Sequence, residues 1–383
     1  MDFDFQWVLL ALPVAFALGW LASRLDLRQW QRAQRESPRA YFKGLNLLLN
    51  EQQDKAVDAF IEAVQHDPGT SDLHFALGNL FRRRGEYERA VRVHEHLLKR
   101  ADLPAAERDR AQHGLAQDYM KAGLFDRAEQ AWHALEGTAF DTEARLALLT
   151  LHERSRDWRA AIEDAQKLER SSGTGSYAPR IAHYWCELAL QAQAANHEED
   201  ASRALQCARD AAPQAARPLV IEGQALAARG RHREALDAFD KVMALHPESF
   251  NLVTDDYVAS ALACGEALRA RDALLGLYQR GSSLALLAAL GRIEPDAQAQ
   301  RERLLAHLRA QPSLSAASQL LAQADGNLAE PAGTLLAAAI AHVGKPLRRY
   351  RCAACGFEAQ NYFWQCPGCL NWDSYPPMRL EDL

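Results

Sequence analysis

Gly44 and Gly78 stand 34 residues apart in this chain, and so do Ala56 and Ala90, within segments that share one rhythm of apolar residue, glycine, alanine and bulky apolar residue. A fixed period of this length marks stacked helix–turn–helix units, none of which can bury its apolar face alone. The first unit carries Gly44, Ala56, Phe60, Ala63 and Pro68. The second carries Leu77-Gly78, Phe81, Gly85 in the turn and Ala90. A third, displaced by four residues, has Leu115-Ala116, Tyr119, Gly123, Ala128 and Trp132, and a weaker fourth has Trp158, Ala161 and Leu168. In the sixth unit Gly223, Leu226, Gly230, Ala235, Phe239 and Pro247 fall in register with Ala189, Ala201, Leu205 and Pro213 of the fifth. Small residues are needed where the two helices of a unit cross, large ones fill the gap to the next unit, and glycine ends the first helix with positive φ. After Pro247 the register fades through Gly276, Gly281 and Gly291, and Ala/Leu-rich helices continue the stack in degenerate form to about Lys345.

The order Leu-Gly-x-x-aromatic, then Ala-x-x-x-aromatic, then Pro is the tetratricopeptide pattern, so the expected fold class is all-α, a tetratricopeptide-type solenoid. Ser171 to Ser176 interrupts it and reads as a loop, and Gly173-Thr-Gly175 lacks the strand-to-helix setting of a nucleotide-binding turn. The helices carry no assignable catalytic set: no Ser/His/Asp spacing, no Walker loop, no carboxylate pair in distinct surroundings. His94 and His96 point about 200° apart on a helix and cannot share a metal, and His74, His183 and His246 read as packed or solvated residues. A net charge of -6, from 44 basic and 50 acidic residues, offers nucleic acid no general attraction. Arg82-Arg83-Arg84 reads as a solvated helix end near the negative pole of the helix dipole.

From Trp7 to Ala22 the chain runs WVLLALPVAFALGWLA, sixteen residues without a charge, preceded by Asp2 and Asp4 and followed by Arg24, Arg28, Arg32 and Arg35. A secretory signal wants a basic leader, so the acidic flank favours a retained anchor. The arginines place the C-terminal side in the cytoplasm and the N-terminus outside. Phe3, Phe5, Trp7 and Trp20 extend the short apolar run into the interfaces.

Cys186, Cys207 and Cys264 are scattered, whereas Cys352-x-x-Cys355 and Cys366-Pro-Gly-Cys369 form a cluster, the latter pair ten residues after the former. Lone thiols plus one paired cluster fit a reducing compartment with a single metal site. Two residues between thiolates let each pair grip one ion from a tight turn, and four thiolates close a tetrahedral shell with no position for substrate. Zinc and iron both suit such a donor set. Tyr350, Phe357, Tyr362, Phe363, Trp364, Trp372 and Tyr375 crowd around the cluster and need a surface to pack on, for which the end of the solenoid is the expected place, with the knuckles as its cap.

Together, an N-terminal anchor, a helical-repeat array and a terminal rubredoxin-like pair of knuckles resemble the lipopolysaccharide assembly protein B family of Gram-negative bacteria. The resemblance is carried by Ala11-Leu12-Pro13-Val14-Ala15, by residues 50–57 (NEQQDKAV), by Leu77-Gly78-Asn79-Leu80-Phe81-Arg82, by Asp118-Tyr119-Met120 with Ala122-Gly123-Leu124, by Ile181-Ala182-His183, and by the knuckles from Tyr350-Arg351-Cys352. It is loose from Phe250 to Lys345. It implies an anchor over 1–24, a juxtamembrane linker over 25–36, a repeat array over 37–346 and a rubredoxin-like domain over 347–383. It also implies one ion per chain, iron by family or zinc, on Cys352, Cys355, Cys366 and Cys369. The implied role is that of a non-enzymatic adaptor at the cytoplasmic face of the inner membrane, single-pass with a periplasmic N-terminus. Its implied partners are a membrane-bound AAA+ protease, the lipid A pathway deacetylase and other lipopolysaccharide synthesis or assembly proteins. No partner-binding residue is assigned, and homo-oligomerisation stays open. The rival readings are a rubredoxin-type electron carrier and a co-chaperone for peptide tails.

Overall fold

The computed structural model describes residues 71–172, 176–294, 296–311, 313–322 and 340–382, with a few isolated positions besides. The expected membrane span, the linker and the first repeat unit lie outside the described residues. Among the described residues no helix is long and apolar enough to cross a membrane.

The chain divides into two compact units, residues 1–157 with 170–172, and residues 158–169 with 173–383. The first holds α1 (Ser71–Arg83), α2 (Tyr87–Lys99), α3 (Ala105–Ala122), α4 (Phe125–His133) and α5 (Asp141–Ser155). The second holds most of α6 (Trp158–Ser172), then α7 (Ala178–Ala194), α8 (Glu198–Ala211), α9 (Arg217–Ala228), α10 (His232–Leu245), α11 (Thr254–Cys264), α12 (Ala267–Arg280), α13 (Leu284–Ile293), α14 (Ala297–Ala310) and α15 (Leu314–Ala322). It ends in a two-stranded ribbon, β1 (Tyr350–Arg351) against β2 (Glu358–Ala359). Helix α6 continues through Ser172, two residues into the stretch expected to be a loop.

One turn recurs. Residues Gly85, Gly123, Arg156, Asn196, Gly230 and Gly265 all have positive φ. After each of them the next backbone N–H reaches back five residues, as in Glu86 to the Phe81 carbonyl, Asp157 to His152, His197 to Ala192 and Glu266 to Ala261. This is the left-handed helix stop that satisfies the terminal carbonyls and reverses the chain. Five residues beyond each stop lies an alanine, namely Ala90, Ala128, Ala161, Ala201, Ala235 and Ala270, each at most 3% exposed. The register expected to fade after Pro247 therefore continues for another unit, through Gly265 and Ala270.

The small positions do what the sequence asked of them. A Cβ on Gly78 would lie 2.6 Å from the His94 ring, and one on Gly114 would lie 2.7 Å from it. A Cβ on Gly223 would collide with Phe239. In the second unit Phe239, Phe250 and Tyr257 centre a core that continues through Leu274, Leu286 and Leu290.

Arg82 departs from the expected solvated helix end. Its guanidinium lies 2.7 Å from the fully buried Asp118 carboxylate and donates to the Gly114 carbonyl (3.1 Å) and to Asn79. His94 Nδ1 lies 2.6 Å from the other Asp118 oxygen. A carboxylate removed from water has to be compensated by charge and hydrogen bonds, and Arg82 is the neighbour able to supply both.

Candidate metal centre

The two Cys-x-x-Cys segments fold into the same turn. In the first, Cys352 N–H donates to the Phe357 carbonyl and Gly356 N–H to that of Cys352. In the second, Cys366 N–H donates to Asn371 and Leu370 N–H to Cys366, all at 2.8–2.9 Å. Gly356 has φ 77° and Leu370, at the matching place, φ 61°. The second turn thus adopts with a leucine the left-handed backbone that the first reaches with glycine. The first turn is closed by β1 and β2, with Tyr350 opposite Ala359, and the second by a bridge between Gln365 and Trp372.

This pairing brings all four sulfurs within 4.8 Å of one another, with Cys352 and Cys369 3.8 Å apart and Cys355 and Cys366 3.7 Å apart. Metal–thiolate bonds of about 2.3 Å in a tetrahedron place sulfurs about 3.8 Å apart, so the donor set fits one ion. Gly368 N–H donates to Cys366 Sγ (3.4 Å), and Tyr375, which donates to the Phe357 carbonyl, sits 3.9 Å from the same sulfur. Cys352 and Cys366 are buried, Cys369 is half-buried and Cys355 is exposed, so one edge of the cluster faces solvent.

Burial opposes ionisation of Cys352, yet hydrogen bonds from Ser374 and from the N–H groups of Cys355 and Ala354 bring its thiol down to about 6. A backbone hydrogen bond from Phe357 favours the Cys355 thiolate, but desolvation and the three neighbouring sulfurs push it up to about 12. A bound cation would offset the repulsion among four thiolates this close. Cys186 is fully buried, with its thiol pushed up to about 12 by burial, which suits an inert core thiol.

The aromatic residues of the knuckles do need a surface, but it is not the end of the stack alone. Trp372 stacks on His183 of α7 with centroids 4.6 Å apart, and meets Trp158 of α6 and Tyr184 of α7 edge-on. Asp373 accepts from His183 Nε2 at 2.6 Å. Arg217 of α9 lies between Trp364 and Trp372, with Glu187 2.5 Å from its guanidinium. Further along, Glu381 and Asp382 reach α15 and α13. The knuckle segment therefore lies along the second unit from α6 to α15, with its tryptophans against the aromatic rings of α6 and α7 and the guanidinium of α9. Beside it is a cavity of about 370 Å³ lined by His183, Arg217, His246, Tyr362, Trp364 and Tyr375. Sequence reasoning noticed the aromatic load but missed Asp373, Arg217, Glu381 and Asp382. Trp372-Asp373 directly after the second turn was the one available signal.

Residues 350–377 match a family described as a rubredoxin metal binding domain. Among solved structures, the chain is similar to a tetratricopeptide repeat protein from Parabacteroides merdae (13% identity, 80% of this chain and 98% of that one, TM-score 0.33). It is also similar to Naa15/Naa10 bound to HypK-THB (15% identity, 81% and 46%, TM-score 0.43). Curated relatives are nearer: lipopolysaccharide assembly protein B of Haemophilus influenzae is 26% identical over 97% of this chain and 98% of its own. The protein of that name from Escherichia coli strain K12 is 32% identical over the same shares. With that identity sustained across both full lengths and the four-cysteine segment included, the chain belongs to the lipopolysaccharide assembly protein B family.

Proposed function

We propose that this chain is a membrane-tethered cytosolic adaptor, not an enzyme, that modulates lipopolysaccharide biosynthesis by promoting proteolysis of the lipid A pathway deacetylase by a membrane-bound AAA+ protease. The observation that carries this reading is the full-length likeness to relatives named lipopolysaccharide assembly protein B, on a chain built of stacked helix pairs. Such stacks offer extended surfaces to segments of other proteins. In this reading residues 1–24 anchor the chain in the inner membrane with a periplasmic N-terminus, 25–36 link, 37–346 form the repeat array and 347–383 the metal domain. The anchor raises the local concentration of the array beside membrane-bound partners, which include other lipopolysaccharide synthesis or assembly proteins.

Cys352, Cys355, Cys366 and Cys369 hold one ion, iron or zinc. When bound, the ion supplies a cross-link between the two turns and leaves no open coordination position, which suits a structural part better than hydrolysis. Elemental analysis of protein purified at native abundance separates iron from zinc. The adaptor reading is tested by following decay of the deacetylase after protein synthesis is blocked. Its half-life should lengthen when this protein is absent, and should also lengthen when the chain lacks residues 1–24 at equal abundance. An identical decay rate with and without the protein would sink the reading.

A further inference from the structure

Among the described residues, the metal domain is fastened to the repeats at its knuckle end and at its tail by different chemistry. At the knuckle end Trp364, between the two cysteine pairs, meets His183 and Arg217, while Trp372 and Asp373, three and four residues after Cys369, carry the contacts to His183, Trp158 and Tyr184. Their position depends on a loop in which both Leu370 (φ 61°) and Asp373 (φ 49°) adopt left-handed backbone, which L side chains take up only at a cost. That loop is closed by Asp373 N–H to the Trp364 carbonyl and by Cys366 N–H to Asn371, bonds that span the second pair of cysteines.

At the other end the tail makes caps. Glu381 accepts from the Ser313 hydroxyl (2.9 Å), the Ser315 N–H (2.7 Å) and the Ser315 hydroxyl (2.6 Å) at the start of α15. Asp382 accepts from the Leu284 N–H (3.0 Å) at the start of α13. Each carboxylate satisfies an N–H that a helix leaves without a partner, at the end where the dipole favours negative charge. Leu380 and Glu381 N–H donate to the Arg349 and Leu347 carbonyls, and Arg348 donates to the Ser315 hydroxyl. None of these bonds passes through residues 352–373.

We propose that the domain is held by a metal-conditional attachment at Trp372 and Asp373 and by a metal-independent latch at Glu381 and Asp382, so that losing the ion frees the knuckle end while the tail stays fastened. This rests on the four cysteines holding an ion. Release of that end uncovers Trp158, His183, Tyr184 and Arg217 on α6, α7 and α9 without the domain leaving the repeats.

The test is hydrogen exchange at named amides of the full chain, with metal content measured on the same samples before and after chelation. On chelation the Asp373 and Cys366 amides should exchange more than about tenfold faster, while those of Leu284 and Ser315 change by less than about twofold. In Glu381→Ala/Asp382→Ala, still metal-loaded, the pattern should invert, with Leu284 and Ser315 roughly five- to tenfold faster and Asp373 unchanged. If chelation speeds all four amides alike, the two attachments are one and the proposal is wrong. It is equally wrong if the ion leaves and Asp373 stays protected. A chain that takes up no ion by elemental analysis overturns the metal reading itself, and this proposal with it.

Discussion

Asp118 has lost all contact with water, and Arg82 and His94 are what make that tolerable. Replacing Arg82 with leucine leaves the carboxylate without its cation. The expected loss is about 3 kcal/mol of unfolding free energy, measured by denaturant titration, because breaking a buried pair exposes the desolvation cost of the remaining charge. Arg83 and Arg84 are exposed as a solvated helix end requires, but Arg82 is not, for a physical reason: its partner lies 36 residues on, and no local pattern ties the two together. His307 offers a second residue-level test. Burial lowers its pKa from 6.5, against the pull of Asp382 and Glu381, so the folded chain favours the neutral ring. The unfolded chain then takes up the proton first, so this stabilisation is present above about pH 6.5 and is lost as pH falls below it. His307→Gln should flatten that part of the stability profile between about pH 7.5 and 5.5. An unchanged slope would remove His307 as its source.

At the scale of the element, the recurring turn separates what sequence shows from what it hides. Gly85, Gly123 and Gly230 were legible because glycine advertises positive φ. Asn196 and Arg156 hold the same backbone conformation without that signal, and Gly265 went unseen because the aromatic residues around it no longer fit the pattern. Arg156 is exposed, so Arg156→Gly removes left-handed strain without removing buried contacts, and should raise stability by about 0.5–1 kcal/mol in thermal or denaturant melts. The two turns of the knuckles were legible, since Cys-x-x-Cys spacing dictates its own turn, although Leu370 gives no sign of the left-handed backbone that Gly356 announces. Where they dock was not, because His183, Arg217 and Trp158 lie far from them in sequence. Chelation should melt the ribbon and both turns while leaving the far-UV helical signal nearly intact, since no repeat helix contributes a sulfur to the cluster. Loss of helical signal in step with the ion would show instead that the repeats depend on it.

For the molecule as a whole, the all-α repeat class was readable from period alone, and the boundary between its two compact units was not. The left-handed stop and the alanine five residues later recur across that boundary, at Arg156 and Ala161, because each unit is built by the same rule. That rule has a counterpart in what variation the chain can accept. Each alanine five residues after a helix stop is buried, and larger side chains there overfill a packed position, at roughly 1–3 kcal/mol each. Scored for abundance across every possible substitution, the chain should show intolerance as a comb with teeth at Ala90, Ala128, Ala161, Ala201, Ala235 and Ala270. The gaps between the teeth would record where evolution has been free to rewrite the surface.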